Sequence, residues 1–226
     1  MFIGHYSVSL AAKKIQPGAP LFVFLVGAQF LDYLFMILMP LGIEKMRMIP
    51  GFTASNNWDL YYMPYSHSLV AAIVWGIVFG GITGFIFRKR FHSSEALRLF
   101  MILAGITAFS HFVLDYIVHT PDLPLFSDSS LKVGLGLWNS RIGTIVAELI
   151  VFLPAAFFYI KSGKPGPGFA GRYGVWIFAG ILTVMIILTP FAPQPHTQIE
   201  MAAQALFFYT VIAVAGSWLD KKRIYN

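Results

Sequence analysis

The chain alternates long apolar runs with short polar stretches, and the length of the runs decides the reading. Runs near 21–41, 66–87, 96–119, 140–160, 173–191 and 201–219 are apolar with few charges. Each holds about 20 residues, enough for a helix rising about 1.5 Å per residue to cross a hydrocarbon core of about 30 Å. The breaks carry the usual punctuation: Pro17, Gly18 and Pro20; Arg88 to Arg90; Pro121 and Pro124; and a Lys-, Gly- and Pro-rich linker over 161–168. Residues 2–12 are also apolar but too short to span. The pattern therefore predicts an all-α, polytopic membrane helix bundle of six transmembrane spans, with a short half-inserted N-terminal helix. The bundle takes up nearly all of residues 1–226, which form a single integral membrane domain. Gly76, Gly80, Gly81 and Gly84 place small residues along the second span, where a neighbouring helix can approach closely.

Composition agrees. Residues are 57% hydrophobic and 12% charged, against about 25% charged in soluble domains, and mean hydropathy is +0.70. The net charge of +6 is spread over short loops, so it points to membrane orientation and not to nucleic acid. Lys13 and Lys14, Arg88 to Arg90, Lys161, Lys164 and Arg172, and Lys221 to Arg223 fall on one side, expected to be cytoplasmic. Loops 42–65, 120–139 and 192–200 fall on the other. Residues 1–12 do not read as a signal peptide, because Lys13 and Lys14 follow the apolar stretch. Cysteine is absent, which excludes disulfides and thiolate metal sites.

Ionisable residues inside such runs are functional candidates by default. They are His5, Asp32, His67, His111, Asp115, His119 and Glu148. His111, Asp115 and His119 are spaced by four, so on a helix they drift by only about 40° per step and share one stripe. Counting rise along each span puts Asp115, His111, Asp32 and Glu148 at compatible depths in the half away from the basic loops, with His67 and His119 at the outer ends of their spans and His119 on a shallow rim at the membrane surface. If 13–20 is a turn, residues 2–12 fold back beside the first span and bring His5 to the same level. A lone histidine in an apolar helix is as often a hydrogen-bonded core residue as a ligand. Several at one depth, with three carboxylates and no intramembrane Lys or Arg, call for a divalent cation or for protonated carboxyls. Nitrogen and oxygen ligands without thiolate suit Zn²⁺, Mn²⁺ or Fe²⁺. One ion needs four ligands, and the surplus admits two. His92 and His196 fall outside the set.

At these residues the chain resembles a known family. Gly4-His5, Gln29 to Asp32, Tyr65 to Leu69 and Ser110 to Asp115 are similar to the YdjM-like membrane-bound proteins. Those are labelled metal-dependent hydrolases and are distantly grouped with zinc-dependent phospholipase C enzymes. Residues 1–5, 64–68, 118–124 and 132–140 are similar to a subgroup of bacterial integral membrane proteins of unestablished function. The resemblance implies a multi-pass protein of the bacterial cytoplasmic (inner) membrane and one or two ions, most simply zinc. His5, Asp32, His67, His111 and Asp115 would bind metal. The family often has His-Arg five residues before the second-span histidine. Here Tyr62 and Met63 stand there, and His119 is the candidate substitute.

The expected function is hydrolysis of an ester or phosphoester in a lipid-like or other small-molecule substrate drawn from the membrane lipids. Glu148 or His119 would handle protons. Lys132, Arg141 and Trp138 would contact substrate at the mouth, under a lid made by loops 42–65 and 120–139. The alternative is a transporter or an ion- or proton-conducting protein using the same cluster. Such proteins often carry inverted repeats, and none is visible in this chain. Haem fits less well, since His111 and His119 share one helix. Nothing in the pattern specifies an oligomeric state.

Overall fold

The computed structural model describes residues 1–225. A 3₁₀ turn (Ile3–His5) leads into α1 (Tyr6–Ile15), followed by α2 (Leu21–Ala28) and α3 (Phe30–Leu38). A hairpin of β1 (Lys45–Met48) and β2 (Trp58–Tyr62) precedes α4 (Leu69–Phe87) and α5 (Ser94–Val118). The short pair β3 (Leu123–Pro124) and β4 (Lys132–Val133) and a 3₁₀ turn (Leu137–Asn139) come before α6 (Arg141–Lys161), α7 (Gly168–Leu188) and α8 (Gln198–Asp220). The fold is helical as expected, and the two small hairpins occupy the loops at one end. Helices α4 to α8 are each long and apolar enough to cross a membrane. The predicted first span departs from expectation. It is broken into α2 and α3, bent by 53°, and makes a sixth crossing only if the pair counts as one span.

The break coincides with a tie to the N-terminal segment. Gln29 leaves the helical conformation (φ −107°, ψ 11°) and its side-chain amide donates to the Phe2 carbonyl at 2.9 Å. Polarity inside an apolar run is thus used to tie the N-terminal segment to the bend. That segment folds back as predicted. Ile3, Tyr6 and Leu10 are buried in one core cluster with Leu25, Phe152 and Tyr159.

At the basic end, Lys13 is buried and not solvated. Its ammonium meets Asp220 Oδ2 at 2.8 Å and donates to the Pro17 and Ala19 carbonyls, closing the 13–20 turn. The hydroxyls of Tyr159 and Tyr225 donate to the other Asp220 oxygen, at 2.8 and 2.5 Å. Burial, with Tyr159 and Asp220 adding, pushes the Tyr225 hydroxyl up from its ordinary value. Arg223 donates to the carbonyls of Tyr159, Ile160 and Gly163. A buried charge needs this density of partners.

Helices α4 and α5 pack through the predicted glycines. A Cβ at Gly80 would lie 2.5 Å from the Met101 carbonyl oxygen, and one at Gly76 3.0 Å from that of Gly105. Gly81, one residue on, faces open space. Gly80→Leu is therefore expected to force the helices apart and lower stability by about 1–3 kcal/mol. Gly81→Leu should leave it nearly unchanged. Thermal unfolding of both variants in detergent checks the contrast, and equal Tm values would contradict it.

Candidate metal centre

Four elements deliver the site. The 3₁₀ turn supplies His5, α3 supplies Asp32, the segment before α4 supplies His67, and α5 supplies His111 and Asp115, with His119 at its C-terminal cap. All are buried except Asp32, which is partly so. Two groups are close enough to hold a metal ion, His5–His111–Asp115 and Asp32–His67–His111. The ligand atoms of each lie within 4.8 Å of one another. His111 belongs to both.

The hydrogen bonds behind the histidines decide what faces inward. His111 Nδ1 lies 2.8 Å from the Ala28 carbonyl oxygen, which ends α2 at the bend and can only accept. His119 Nδ1 lies 2.8 Å from Asp122 Oδ1. His67 Nδ1 lies 2.7 Å from Ser66 Oγ, whose own proton goes to Glu44 Oε2 at 2.6 Å. Each Nδ1 therefore carries a proton, and a ring that is otherwise neutral presents an Nε2 lone pair. Those three Nε2 atoms converge on Asp115 Oδ2, at 3.0 Å from His111, 3.4 Å from His119 and 3.7 Å from His67. Asp32 Oδ1 faces two of them, at 3.5 Å from His111 and 3.4 Å from His67.

Neutral rings would set lone pairs against lone pairs around two carboxylate oxygens, a clash that a cation between them, or a proton on Nε2, removes. The remaining carboxylate oxygens are already engaged. Asp115 Oδ1 accepts from the Met1 amino group at 2.7 Å, and Asp32 Oδ2 from the Tyr209 hydroxyl at 2.8 Å. His5 stacks on His111 with the rings 3.9 Å apart and 3° from parallel. Its Nε2 is 3.1 Å from Asp115 Oδ1. Neither nitrogen of His5, nor Nε2 of His111, is aligned for a hydrogen bond with any described residue. Buried polar atoms without a partner are rare and need a reason. A cation at the convergence of these atoms supplies one, so the residues present fit a metal ion.

The backing groups form the second layer that metal-binding histidines typically use to fix tautomer and orientation. Glu44 is fully buried in the loop before β1, where it also accepts from the backbone N–H groups of Tyr65 and Ser66, at 2.9 Å each. Loop 132–139 fixes His119. Leu135 N–H donates to the Tyr116 carbonyl and Gly136 N–H to that of His119, at 2.8 and 2.6 Å. The close approach requires Gly134 (φ +157°), where a Cβ would lie 2.3 Å from the Thr120 carbonyl oxygen.

A half-open cavity of about 310 Å³ has Asp32, His67, Asp115, His119 and Glu148 among its lining residues. Trp138 lines it too, packed 4.1 Å from the His119 ring and edge-on to Trp58 at 5.9 Å. This places His119 inside the cluster and not at a solvated rim, where its depth along the span had put it. Glu148 reaches the cavity, but both of its oxygens accept backbone N–H groups, from Phe2 at 3.1 Å and Gly4 at 2.8 Å. It holds the N-terminal turn. Lys132 does not line the cavity. Its ammonium is bound to Asp128 at 2.7 Å and to the Tyr61 carbonyl at 2.8 Å. Arg141 lies outside as well, in an adjoining polar cavity of about 250 Å³.

Glu44, Ser66, Asp122 and Tyr209 have no assigned role in the sequence pattern. Glu44 had a signal, a carboxylate in a loop otherwise holding Lys45 and Arg47. Tyr209 is 177 residues from Asp32 and had none. Comparison with protein-family models, with curated proteins and with solved structures finds no match for this chain.

Loss of one backing hydrogen bond should weaken metal binding without emptying the site. Ser66→Ala is expected to reduce divalent-metal affinity about 10- to 100-fold, read by competition with a chelator of known affinity. Unchanged affinity would mean that Ser66 orients nothing.

Proposed function

We propose that this protein is a membrane-embedded, metal-dependent hydrolase that cleaves an ester or phosphoester in a lipid-like substrate. The observation that carries the reading is the convergence of the His111 and His67 Nε2 atoms on Asp115 Oδ2 and on Asp32 Oδ1, beside a largely apolar cavity. His5, Asp32, His67, His111 and Asp115 would hold the cation, with zinc the simplest choice for nitrogen and oxygen donors. Bound there, it would supply Lewis acidity, lowering the pKa of a water toward neutrality.

The chain's own groups divide the remaining work. His119 lines the cavity, with Nε2 3.4 Å from Asp115 Oδ2 and Asp122 behind Nδ1, an arrangement suited to a general base. In this role Nε2 takes a proton from the attacking water, and the Asp122 carboxylate stabilises the imidazolium. Water adds across the ester bond, leaving an acid and an alcohol, and the proton returns to the leaving oxygen. Tyr209 keeps Asp32 oriented, and Glu148 keeps His5 in place through the turn at Phe2 and Gly4. Trp58, Leu60, Met63 and Trp138 cover the site and limit bulk water.

A dead-end cavity favours hydrolysis over conduction. Toward the basic end the bundle is filled by Phe24, Leu25, Phe100 and Phe152, each no more than 1% exposed. Such packing offers no polar path. The resemblance to YdjM-like proteins points the same way, and we place the chain in the bacterial inner membrane with its basic end cytoplasmic.

The test combines metal content with turnover. Protein purified from metal-replete cells should carry divalent metal and hydrolyse fluorogenic ester or phosphodiester amphiphiles. His111→Ala and Asp115→Asn should each lose metal and reduce turnover by more than the about 10- to 100-fold typical of an outer-shell partner. His119→Ala should keep the metal and lose turnover. Full activity in metal-free His111→Ala protein would sink the proposal.

A further inference from the structure

The cavity reaches well beyond the residues the chemistry needs. Helices α7 and α8 are in tight contact near the basic end, where a Cβ at Gly174 would lie 2.4 Å from Leu219, and one at Gly216 3.2 Å from Phe178. At their other ends the same helices no longer fill the space between them. Met185 and Thr189 on one side, and Met201, Ala205 and Phe208 on the other, line the cavity that leads to Asp115. The α8 residues are spaced by four and three, so they form one stripe. Phe208 in this stripe is 43% exposed, and the cavity it lines is half-open. The gap therefore joins the buried site to the face that a bilayer would cover.

We infer that one hydrocarbon chain of an anionic membrane lipid enters sideways between α7 and α8, with its headgroup in the adjoining compartment beside Arg141. The inference rests on the hydrolase reading for its purpose, and on geometry for its path. The cavity wall is built mostly from Phe, Met, Trp, Ala, Leu and Pro side chains, which favour a chain over a polar substrate. At about 310 Å³ it sits at the small end of the roughly 300–1,000 Å³ range of ligand pockets. It takes one chain and its ester, not a whole two-chain lipid.

The polar end has its own place. The second cavity shares Ser55, Asn56, Pro190, Ala192 and Gln194 with the first and adds Asn57 and Arg141. Arg141 is the charged residue of that lining. It donates through Nε to the Ala54 carbonyl and lies 5.5 Å over the Phe191 ring, with no ion pair to a carboxylate among the described residues. A guanidinium so positioned and unneutralised selects an anion.

The path can be tested whether or not the protein turns over. The full chain is placed in nanodiscs with a phosphatidylglycerol bearing a diazirine at mid-chain, irradiated, and mapped by peptide mass spectrometry. Phe35 and Met63 line the cavity yet are at most 2% exposed, so only a chain inside the bundle reaches them. Phe207 is 62% exposed and reports ordinary bilayer contact. Labelling of Phe35 or Met63 is expected. Ala205→Trp and, from the opposite wall, Thr189→Trp should each cut it at least about 10-fold while Phe207 labelling persists, showing that the bundle is intact. Label confined to exposed positions such as Phe207, or interior label that survives both variants, overturns the path. Arg141→Gln should reduce interior labelling by this probe and leave that by the phosphatidylcholine analogue unchanged. Equal effects on both probes overturn the headgroup assignment. Interior labelling by a protein without hydrolytic activity would remove the hydrolase reading and leave the lipid path standing.

Discussion

Asp115 is a carboxylate placed on an apolar helix in the middle of a bundle, and much of the surrounding structure serves to make that tolerable. Burying an uncompensated charge costs several kcal/mol or more. One oxygen meets the Met1 amino group, and the other faces three imidazole Nε2 atoms. With the rings neutral, that one ammonium is set against two carboxylates and a surplus of lone pairs. That imbalance, more than the residue types alone, argues for a cation.

The fold can be understood from this need. The bend at Gln29 frees the Ala28 carbonyl for His111 and turns α3 so that Asp32 faces His67. The N-terminal segment folds back to deliver His5, and Glu148 and Gln29 hold it through its backbone. The loop before β1 carries Glu44 to Ser66. Loop 132–139 closes over the end of α5 and fixes His119. Each irregular feature (a broken span, a half-inserted helix, a buried loop carboxylate) ends on a ligand or on the group behind it. The regular parts, such as the glycine-mediated contact of α4 and α5, provide a rigid wall.

Much of this was legible in the sequence, for physical reasons. Apolar run length gives the spans. Helical period puts His111 and Asp115 on one stripe, and the turn at 13–20 brings His5 back to them. What failed to show was the detail set by long-range geometry. Gln29 looks like one polar residue in a span, and nothing local says that it breaks the helix there. Counting rise along α5 put His119 at a surface rim, because the calculation omitted the loop that folds over it. Glu148 has the right depth for chemistry, but its depth could not reveal that two backbone N–H groups occupy it. Lys132 and Arg141 looked alike as cations near the mouth. The structure separates them, pairing Lys132 with Asp128 and leaving Arg141 beside an open compartment.

The central claim is that histidine Nε2 atoms and aspartate oxygens jointly ligate a divalent cation inside the bundle. X-ray absorption at the edge of the metal carried by the purified protein reads that ligand set directly. A nitrogen and oxygen shell at about 2.0–2.2 Å is expected, with the outer scattering of at least two imidazole rings and no sulfur. A spectrum without imidazole scattering, or the same spectrum from His111→Ala protein, would contradict it.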